Sequence, residues 1–170
     1  MNLVHIIGRQ DHGKTTLVRE LIAEISRHGV RVGSIKHSSH AHELDSPGKD
    51  SHAHRAAGAN PAAIMAANLT AIYFEPAPDE DVYARIAPIF SACDLVLVEG
   101  DPAGPGAKIE VWRAGQGTAP LAAERGGVAA IVTDDPVDTG LVKKVLKRSD
   151  LPAIADFVLD LAGVSGNPSR

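Results

Sequence analysis

Residues 8–15 read GRQDHGKT, and this short stretch decides the fold class. It matches the pattern G-x-x-x-x-G-K-[ST], a P-loop, in which backbone N–H groups of a glycine-rich loop surround a phosphate. Residues 2–7, before it, are short, apolar and β-branched, which predicts a buried strand. Residues 14–28, after it, carry apolar side chains at positions 17, 18, 21, 22 and 25, on one face of a helix. The pattern therefore lies between the strand and the helix that it requires.

Phosphate binding gives each residue of this loop an expected role. Gly8 and Gly13 let the backbone approach the anion closely, and the first N–H groups of the following helix point at the same anion. Lys14 is expected to reach the β- and γ-phosphates, and the Thr15 hydroxyl to bind Mg²⁺. Thr16 is assigned to the α-phosphate. A plain glycine turn leading into a helix is the alternative interpretation.

A P-loop protein also needs an acid that holds the metal ion from a neighbouring strand. Residues 94–100, DLVLVEG, are a nearly continuous apolar run, which predicts a central parallel strand buried on both faces. Glu99 falls at the C-terminal end of this run, where the strands of an open α/β sheet meet at one crevice, and is the predicted Mg²⁺ ligand. Asp94 opens the run and is expected at the opposite edge. Asp11 is expected to face solvent, because a carboxylate repels polyphosphate.

Further strands and helices follow from the same kind of pattern. Short apolar runs predict strands over residues 30–36, 62–67, 69–74, 94–100, 108–113 and 128–133. Helices are predicted near residues 50–57, 82–90 and 155–162. The run at 108–113, KIEVWR, alternates apolar and polar residues, which is typical of a half-exposed strand.

These elements together predict an α/β fold. A strand, a helix and a second strand at the N-terminus form a βαβ unit, whose strands are parallel. We expect a three-layer sheet of the P-loop NTPase type, mostly parallel, with helices on both faces. Residues 1–163 are predicted to form a single nucleotide-binding domain, followed by a frayed tail at residues 164–170.

Composition excludes several classes of protein. The 170 residues are 44% hydrophobic and 22% charged, which is ordinary for a globular chain and excludes a wholly disordered one. A formal charge of −4 argues against nucleic-acid binding, which needs clustered Lys and Arg. No apolar run approaches the length of a membrane span. The single cysteine, Cys93, suits a reducing cytoplasm.

Five further motifs follow the loop in a fixed order. They are KH at residues 36–37, PGKDS at 47–51, AGA at 57–59, VEG at 98–100 and KIEV at 108–111. In this combination the chain resembles the MobB family, the molybdopterin-guanine dinucleotide biosynthesis adapter proteins, over about residues 1–135. Residues 9–12, RQDH, depart from the smaller residues usual in the family's loop.

The resemblance implies a function as well as a fold. It implies a homodimer that binds GTP with Mg²⁺ and hydrolyses GTP weakly at most. It also implies that the protein assists a guanylyltransferase of the MobA type, which attaches GMP to molybdopterin. The P-loop residues are then the GTP ligands, and Glu99 is the metal ligand.

A histidine-rich segment, residues 37–54, follows the second predicted strand and contains five of the eight histidines. With its lysines it could bind the phosphate of GTP or of a pterin such as molybdopterin, it could bind a transition metal, or it could be a solvated loop. Lys49 and Asp50 are the candidates for ligand contact. At the end of the strand predicted at 128–133, Asp134 is a candidate reader of the guanine edge, with a simple turn as the alternative.

Two other functions use the same loop. One is a P-loop kinase or synthetase that acts on a small molecule, which needs arginines around its phosphate acceptor. The other is a nucleotide-sensing module that does not hydrolyse its ligand. Rapid phosphoryl transfer to a small acceptor would favour the kinase.

Overall fold

The computed structural model describes residues 1–164. Its helices and strands, in chain order, are β1 Leu3–Ile7, α1 Lys14–Arg27, β2 Val32–Lys36, α2 Asp50–Ala56, β3 Ala62–Met65, β4 Thr70–Tyr73, α3 Val82–Ile86, β5 Leu95–Glu99, β6 Ala107–Val111, β7 Val128–Val132, β8 Val145–Leu146 and α4 Leu151–Ala162. Contacts divide the chain into two compact units. The first comprises Met1–Ser38 and the chain from Ala87 onward, and the second comprises Ser39–Ile86. The single domain over residues 1–163 stays a prediction.

The first unit is built on one six-stranded sheet. The strand order is β2-β5-β1-β6-β7-β8, and every neighbouring pair is parallel. This arrangement confirms the predicted fold class. Because all strands run the same way, their C-terminal ends share one edge of the sheet. The register places Ile6 beside Glu99 and Ile7 beside Glu110, so the loop after β1 emerges between the ends of β5 and β6.

Helices α1 and α4 pack against each other and against one face of this sheet. The α1 side chains Leu17, Leu21 and Ile25 are fully buried in that core. Burying one such side chain contributes about 1.5–3 kcal/mol, so this face fixes α1, and with it the loop before it, to the sheet. On the other face, Phe90 in the 3-10 helix Ala87–Phe90 packs so closely on Gly33 that a Cβ at residue 33 would lie 2.6 Å from its ring.

The prediction that β6 is half exposed is wrong. Glu110, the fourth of the five residues of this strand, is only 1% exposed. Its Oε1 accepts a hydrogen bond from the Leu121 N–H at 2.6 Å, and its Oε2 accepts one from the Ala122 N–H at 2.9 Å. Burial raises the pKa of Glu110, although these two N–H donors oppose the shift. A sequence pattern treats every glutamate as exposed, and it does not reveal that backbone N–H groups will satisfy this carboxylate inside the protein. This is why the sequence pattern predicts that β6 is half exposed.

Other boundaries differ from those predicted by the sequence. The two short strands β3 and β4 form an antiparallel hairpin, a two-stranded sheet of the second unit. Helix α4 begins at Leu151 rather than near residue 155, because the Asp150 side chain accepts a hydrogen bond from the Ala153 N–H and caps it. Strand β8 has only two residues and left no periodicity to recognise. Of the predicted frayed tail, residues 165–170 lie outside the described residues.

At the N-terminal edge of the sheet, Asp94 forms a bidentate ion pair with Arg31. Hydrogen bonds from the Arg31 side chain and backbone lower the pKa of Asp94 to about 2. Because this pKa lies below its ordinary value, Asp94 stabilises the fold above about pH 4, and the contribution disappears as the pH falls through about 2. We therefore expect Asp94→Asn to lower the melting temperature at pH 7 and to match the unsubstituted protein near pH 2. NMR titration of the carboxylates would measure this pKa directly.

Candidate phosphate-binding site

The loop between β1 and α1 needs glycine at both ends. Gly8 has a φ of +143°, and a Cβ there would lie 2.5 Å from the carbonyl oxygen of Val111 on β6. Gly13 has a φ of +95° and directly precedes α1, where no side chain caps the helix N-terminus. The first N–H groups of a 14-residue helix are therefore available to an anion at the loop. Asp11 is exposed, as expected.

Lys14 reaches across this loop. Its Nζ donates a hydrogen bond to the Arg9 carbonyl oxygen at 2.6 Å. Burial lowers the pKa of Lys14, and the nearby Lys36 lowers it further, while Glu99 and Asp11 oppose the shift. The ammonium thus lies in a half-buried place where positive charge is costly. A bound anion would remove that cost, which fits the predicted role of Lys14 toward phosphate.

The predicted metal ligands, Thr15 and Glu99, meet at the side of the loop next to β5. The Thr15 hydroxyl donates to Glu99 Oε1 at 2.7 Å, and the Lys36 ammonium forms an ion pair with the same oxygen. Burial opposes ionisation of Glu99, but the hydrogen bonds from Lys36 and Thr15 outweigh burial and lower its pKa. Glu99 is therefore a charged, buried carboxylate beside a hydroxyl. A hydroxyl and a carboxylate are oxygen donors that suit Mg²⁺, which proteins hold with few side chains and the substrate's phosphates.

The remaining predicted residues belong to both units of the chain. Thr16 is exposed in the first turn of α1. Asp134 follows β7 in the first unit, and its Oδ1 accepts hydrogen bonds from the Ser149 N–H at 3.0 Å and the Ser149 hydroxyl at 2.9 Å. Lys49 and Asp50 belong to the second unit, where both are exposed at the start of α2. Their roles stay predictions.

The histidine-rich segment shows local contacts rather than a metal cluster. Arg55 Nη1 donates to Glu43 Oε1 at 2.8 Å, and the Ser51 hydroxyl donates to the buried Asp45 at 3.1 Å. His52 Nε2 lies 3.7 Å from Glu43 Oε2. Within residues 1–164, no group of three or more His, Cys, Asp or Glu side chains is arranged to hold a metal ion.

Sequence reasoning gave His12 no role, although it braces the loop from within. This side chain is only 1% exposed. Its Nδ1 accepts a hydrogen bond from the Arg113 N–H at 2.9 Å, so the neutral ring carries its proton on Nε2, which is 3.0 Å from the Thr118 hydroxyl. The Trp112 indole N–H in turn donates to the Thr118 carbonyl at 2.8 Å. His12 thereby ties the loop to the chain that leaves β6.

We expect His12 to make the stability of the protein depend on pH. Burial lowers the pKa of His12, and the charges of Lys14, Arg113 and Arg9 lower it further. Because the folded pKa lies below the unfolded one, stability is complete above about pH 6.5 and falls as the pH drops below it. His12→Asn keeps an acceptor for the Arg113 N–H but does not titrate. It should reduce the fall in melting temperature between pH 7.5 and 5.5 by about 2–4 °C.

His28→Asn is the matched control for this prediction. His28 is an exposed histidine at the C-terminal end of the same helix. The profile of melting temperature against pH of this variant is the baseline with which that of His12→Asn is compared. If the profile of His12→Asn does not differ from this baseline, the His12 ring does not link protonation to folding.

The sequence that forms this site matches a known protein family. Residues 3–134 match the family model MobB, described as molybdopterin guanine dinucleotide synthesis protein B. The chain belongs to the MobB family. The match spans β1, the loop, Glu99 and β7, and it ends at Asp134. The resemblance seen in the motifs is thereby confirmed.

Individual MobB proteins are similar to this chain over most of its length. The molybdopterin-guanine dinucleotide biosynthesis adapter protein of Escherichia coli is 35% identical, over 87% of this chain and 86% of that protein. The corresponding adapter protein of Haemophilus influenzae is also 35% identical, over 92% of this chain and 86% of that protein. The family to which the chain belongs is therefore one of adapter proteins in molybdopterin-guanine dinucleotide biosynthesis.

A solved MobB structure has the same fold. The crystal structure of Bacillus subtilis MobB superposes with a TM-score of 0.71 over 97% of this chain and 99% of that one, at 23% identity. In the part of the chain that the structure describes, no helix has the length and apolar character needed to cross a membrane.

Proposed function

We propose that this MobB protein is a GTP-binding adapter that assists attachment of GMP to molybdopterin. The observation that carries the proposal is the constellation of Lys14, Thr15 and Glu99 around a loop whose glycines have the required conformation. A polyphosphate is the anion class that such a loop accommodates. Membership of a family named for molybdopterin-guanine dinucleotide biosynthesis supports a guanine nucleotide as the ligand.

The same residues support a magnesium complex of the nucleotide. When bound, Mg²⁺ neutralises charge on the β- and γ-phosphates. Thr15 and Glu99 would hold the ion from the β5 side of the loop, and Lys36, which already contacts Glu99, would keep that carboxylate ionised. Lys14 would place its ammonium on the phosphates. We propose slow hydrolysis at most, so that the effect of the bound nucleotide is exerted on a partner.

Calorimetry with Mg·GTP and Mg·ATP is the direct test. We expect binding of Mg·GTP in the micromolar range and at least about tenfold weaker binding of Mg·ATP. Hydrolysis is then measured alone, with molybdopterin, and with molybdopterin and a guanylyltransferase of the MobA type. Acceleration of GMP attachment supports the adapter function, whereas rapid transfer of phosphate to a small acceptor would favour a kinase. Absence of binding to both nucleotides would remove the proposal.

Asp134 is the proposed reader of guanine. A carboxylate that accepts from the guanine N1–H and N2–H₂ groups favours GTP over ATP, and Asp134 stands at the end of β7, one of the strands that share the loop's edge of the sheet. We expect Asp134→Ala to weaken GTP about tenfold and ATP little. Asp138→Ala, which removes the cap of a 3-10 helix, is the control. An equal loss of affinity for GTP and ATP would mean that Asp134 only stabilises the turn in which it accepts a hydrogen bond from Ser149.

We also propose a homodimer and a cytoplasmic location. The β3–β4 hairpin of the second unit exposes Met65 by 83% and Ile72 by 50%, and these side chains lie on one face of the hairpin. An exposed apolar face supports association with a second copy or with the guanylyltransferase. Light scattering, which measures molecular mass, tests on the double variant Met65→Glu/Ile72→Glu whether this face of the hairpin forms the dimer.

The proposed cytoplasmic location is supported by Cys93, a free thiol, which suits a reducing compartment.

Lys49 and Asp50 remain our candidates for contact with the phosphate of GTP, with a pterin such as molybdopterin, or with the partner. Both are exposed, with Lys49 immediately before α2 and Asp50 at its first position. Lys49→Ala/Asp50→Ala should reduce GTP turnover or partner-dependent attachment of GMP. If GTP turnover and GMP attachment are both unchanged, neither residue belongs to the functional surface.

A further inference from the structure

Arg113 reaches the loop from the side opposite the proposed metal ligands. It comes two residues after the end of β6, which pairs with β1 on one side, whereas β5 and Glu99 pair with β1 on the other. The guanidinium lies against Gly13 so closely that a Cβ at residue 13 would be 2.8 Å from Nη2 and 3.1 Å from Cζ. Gly13 therefore leaves space for an arginine head group next to the first turn of α1.

The backbone that carries Arg113 is fixed. Its own N–H donates to His12 Nδ1 at 2.9 Å, and the N–H of Ala114 donates to Asp135 Oδ2 at 2.8 Å. The next residue back, Trp112, is held by a hydrogen bond from its N–H to the Val132 carbonyl at 3.1 Å. The base of the side chain is thus anchored to the loop, to β7 and to the turn that follows β7.

The head group of Arg113, by contrast, has no carboxylate or carbonyl oxygen among residues 1–164 as a hydrogen-bonding or ion-pair partner. Arg9, which also lies at the loop, is committed to an ion pair with Glu124 and a hydrogen bond to the Ala119 carbonyl. The guanidinium of Arg113 and the ammonium of Lys14 both add to the positive field that lowers the pKa of His12. The loop therefore carries positive charge that an anion would balance.

We propose that Arg113 binds a phosphate group that guanosine diphosphate and triphosphate share, from the side of the loop opposite Glu99. The inference rests on the proposed function. Thr15 and Glu99 would hold Mg²⁺ on the β5 side of the loop, where it would neutralise charge on the β- and γ-phosphates. An arginine on the other side would then meet the part of the nucleotide closer to the ribose. A guanidinium can donate two parallel hydrogen bonds to one phosphate, which an ammonium cannot.

The test compares Arg113→Ala and Arg113→Lys with the unsubstituted protein in calorimetry with Mg·GDP and Mg·GTP. Because Arg113→Ala loses its contact with phosphate, its affinity for the nucleotide should be about 10- to 100-fold lower than that of the unsubstituted protein. The loss should be the same for GDP and GTP, and Arg113→Lys should restore only part of it. The charge-matched control is Arg27→Ala, at the other end of the 14-residue α1 and so about 20 Å from the loop.

A second measurement needs no variant. In the unsubstituted protein, Mg·GDP should protect Arg113 from phenylglyoxal, as read by mass spectrometry, and leave the reaction of Arg27 unchanged. Affinities within twofold of the unsubstituted protein, absence of protection, or a loss confined to GTP would each overturn the inference. If the unsubstituted protein binds neither GDP nor GTP, the proposed function fails first, so the two failures are distinguishable.

Discussion

Lys14→Met should bind Mg·GTP at least about 100-fold more weakly than the unsubstituted protein, because the two charge-assisted hydrogen bonds lost to phosphate are worth about 3–6 kcal/mol together. Lys14 already lies across the loop, with its ammonium on the Arg9 carbonyl, so no other side chain needs to move to bring charge to this place. Methionine keeps the length of the side chain and removes the charge. Calorimetry measures the loss, and GTP hydrolysis should fall with it.

Lys144→Ala is the control for Lys14→Met. Lys144 is an exposed lysine of the first unit, so its removal changes the net charge equally without touching the loop. Binding of Mg·GTP should not change. Because burial lowers the pKa of Lys14, the substitution should not cost stability, and an unaltered melting temperature would separate lost binding from lost folding. Full affinity in Lys14→Met would exclude the loop as the phosphate site.

Glu99→Gln is expected to have the second-largest effect, on the requirement for Mg²⁺. Glutamine preserves the size of the side chain and an acceptor for the Thr15 hydroxyl, but it removes the negative charge and leaves Lys36 without its ion pair. The Mg²⁺ concentration needed for half-maximal binding of GTP should rise at least about tenfold, and any hydrolysis should fall on the order of 100-fold. Titration of Mg²⁺ at fixed GTP measures the first effect.

Asp94→Asn provides the comparison for Glu99→Gln, because it removes a carboxylate just before the opposite end of β5. That residue is paired with Arg31 at the N-terminal edge of the sheet. Its substitution changes stability and should leave the Mg²⁺ requirement alone. If Glu99→Gln and the unsubstituted protein need the same Mg²⁺ concentration, Glu99 is not the ligand of the metal ion.

The sequence predicted well where structure depends on neighbouring residues. The loop at residues 8–15, the helix after it and the buried strand that ends at Glu99 all have strong local patterns. The parallel sheet followed from the order of those elements. Glu99 could be chosen over Asp94 because the chain direction of a parallel strand fixes which end meets the loop.

The sequence predicted poorly where a residue depends on partners far along the chain. His12 bonds to Arg113 and Thr118, about a hundred residues later, and only the approach of β6 to β1 brings them together. Glu110 is buried because a later turn supplies two N–H donors. No local pattern marks either pairing. The hairpin of the second unit was recognised as strands, but a strand pattern does not state which sheet a strand joins.

The hydrogen bond from the Trp112 indole to Thr118, and from there to His12, gives the protein a built-in optical reporter. Trp112 is the single tryptophan of the chain, so all indole fluorescence comes from this side chain. Two hydrogen bonds, one to Thr118 and one between Thr118 and His12, connect it to the loop. Any ligand that shifts His12 or Arg113 should change the intensity or wavelength of that emission. Occupancy could then be followed in real time, on unlabelled protein, by stopped-flow mixing.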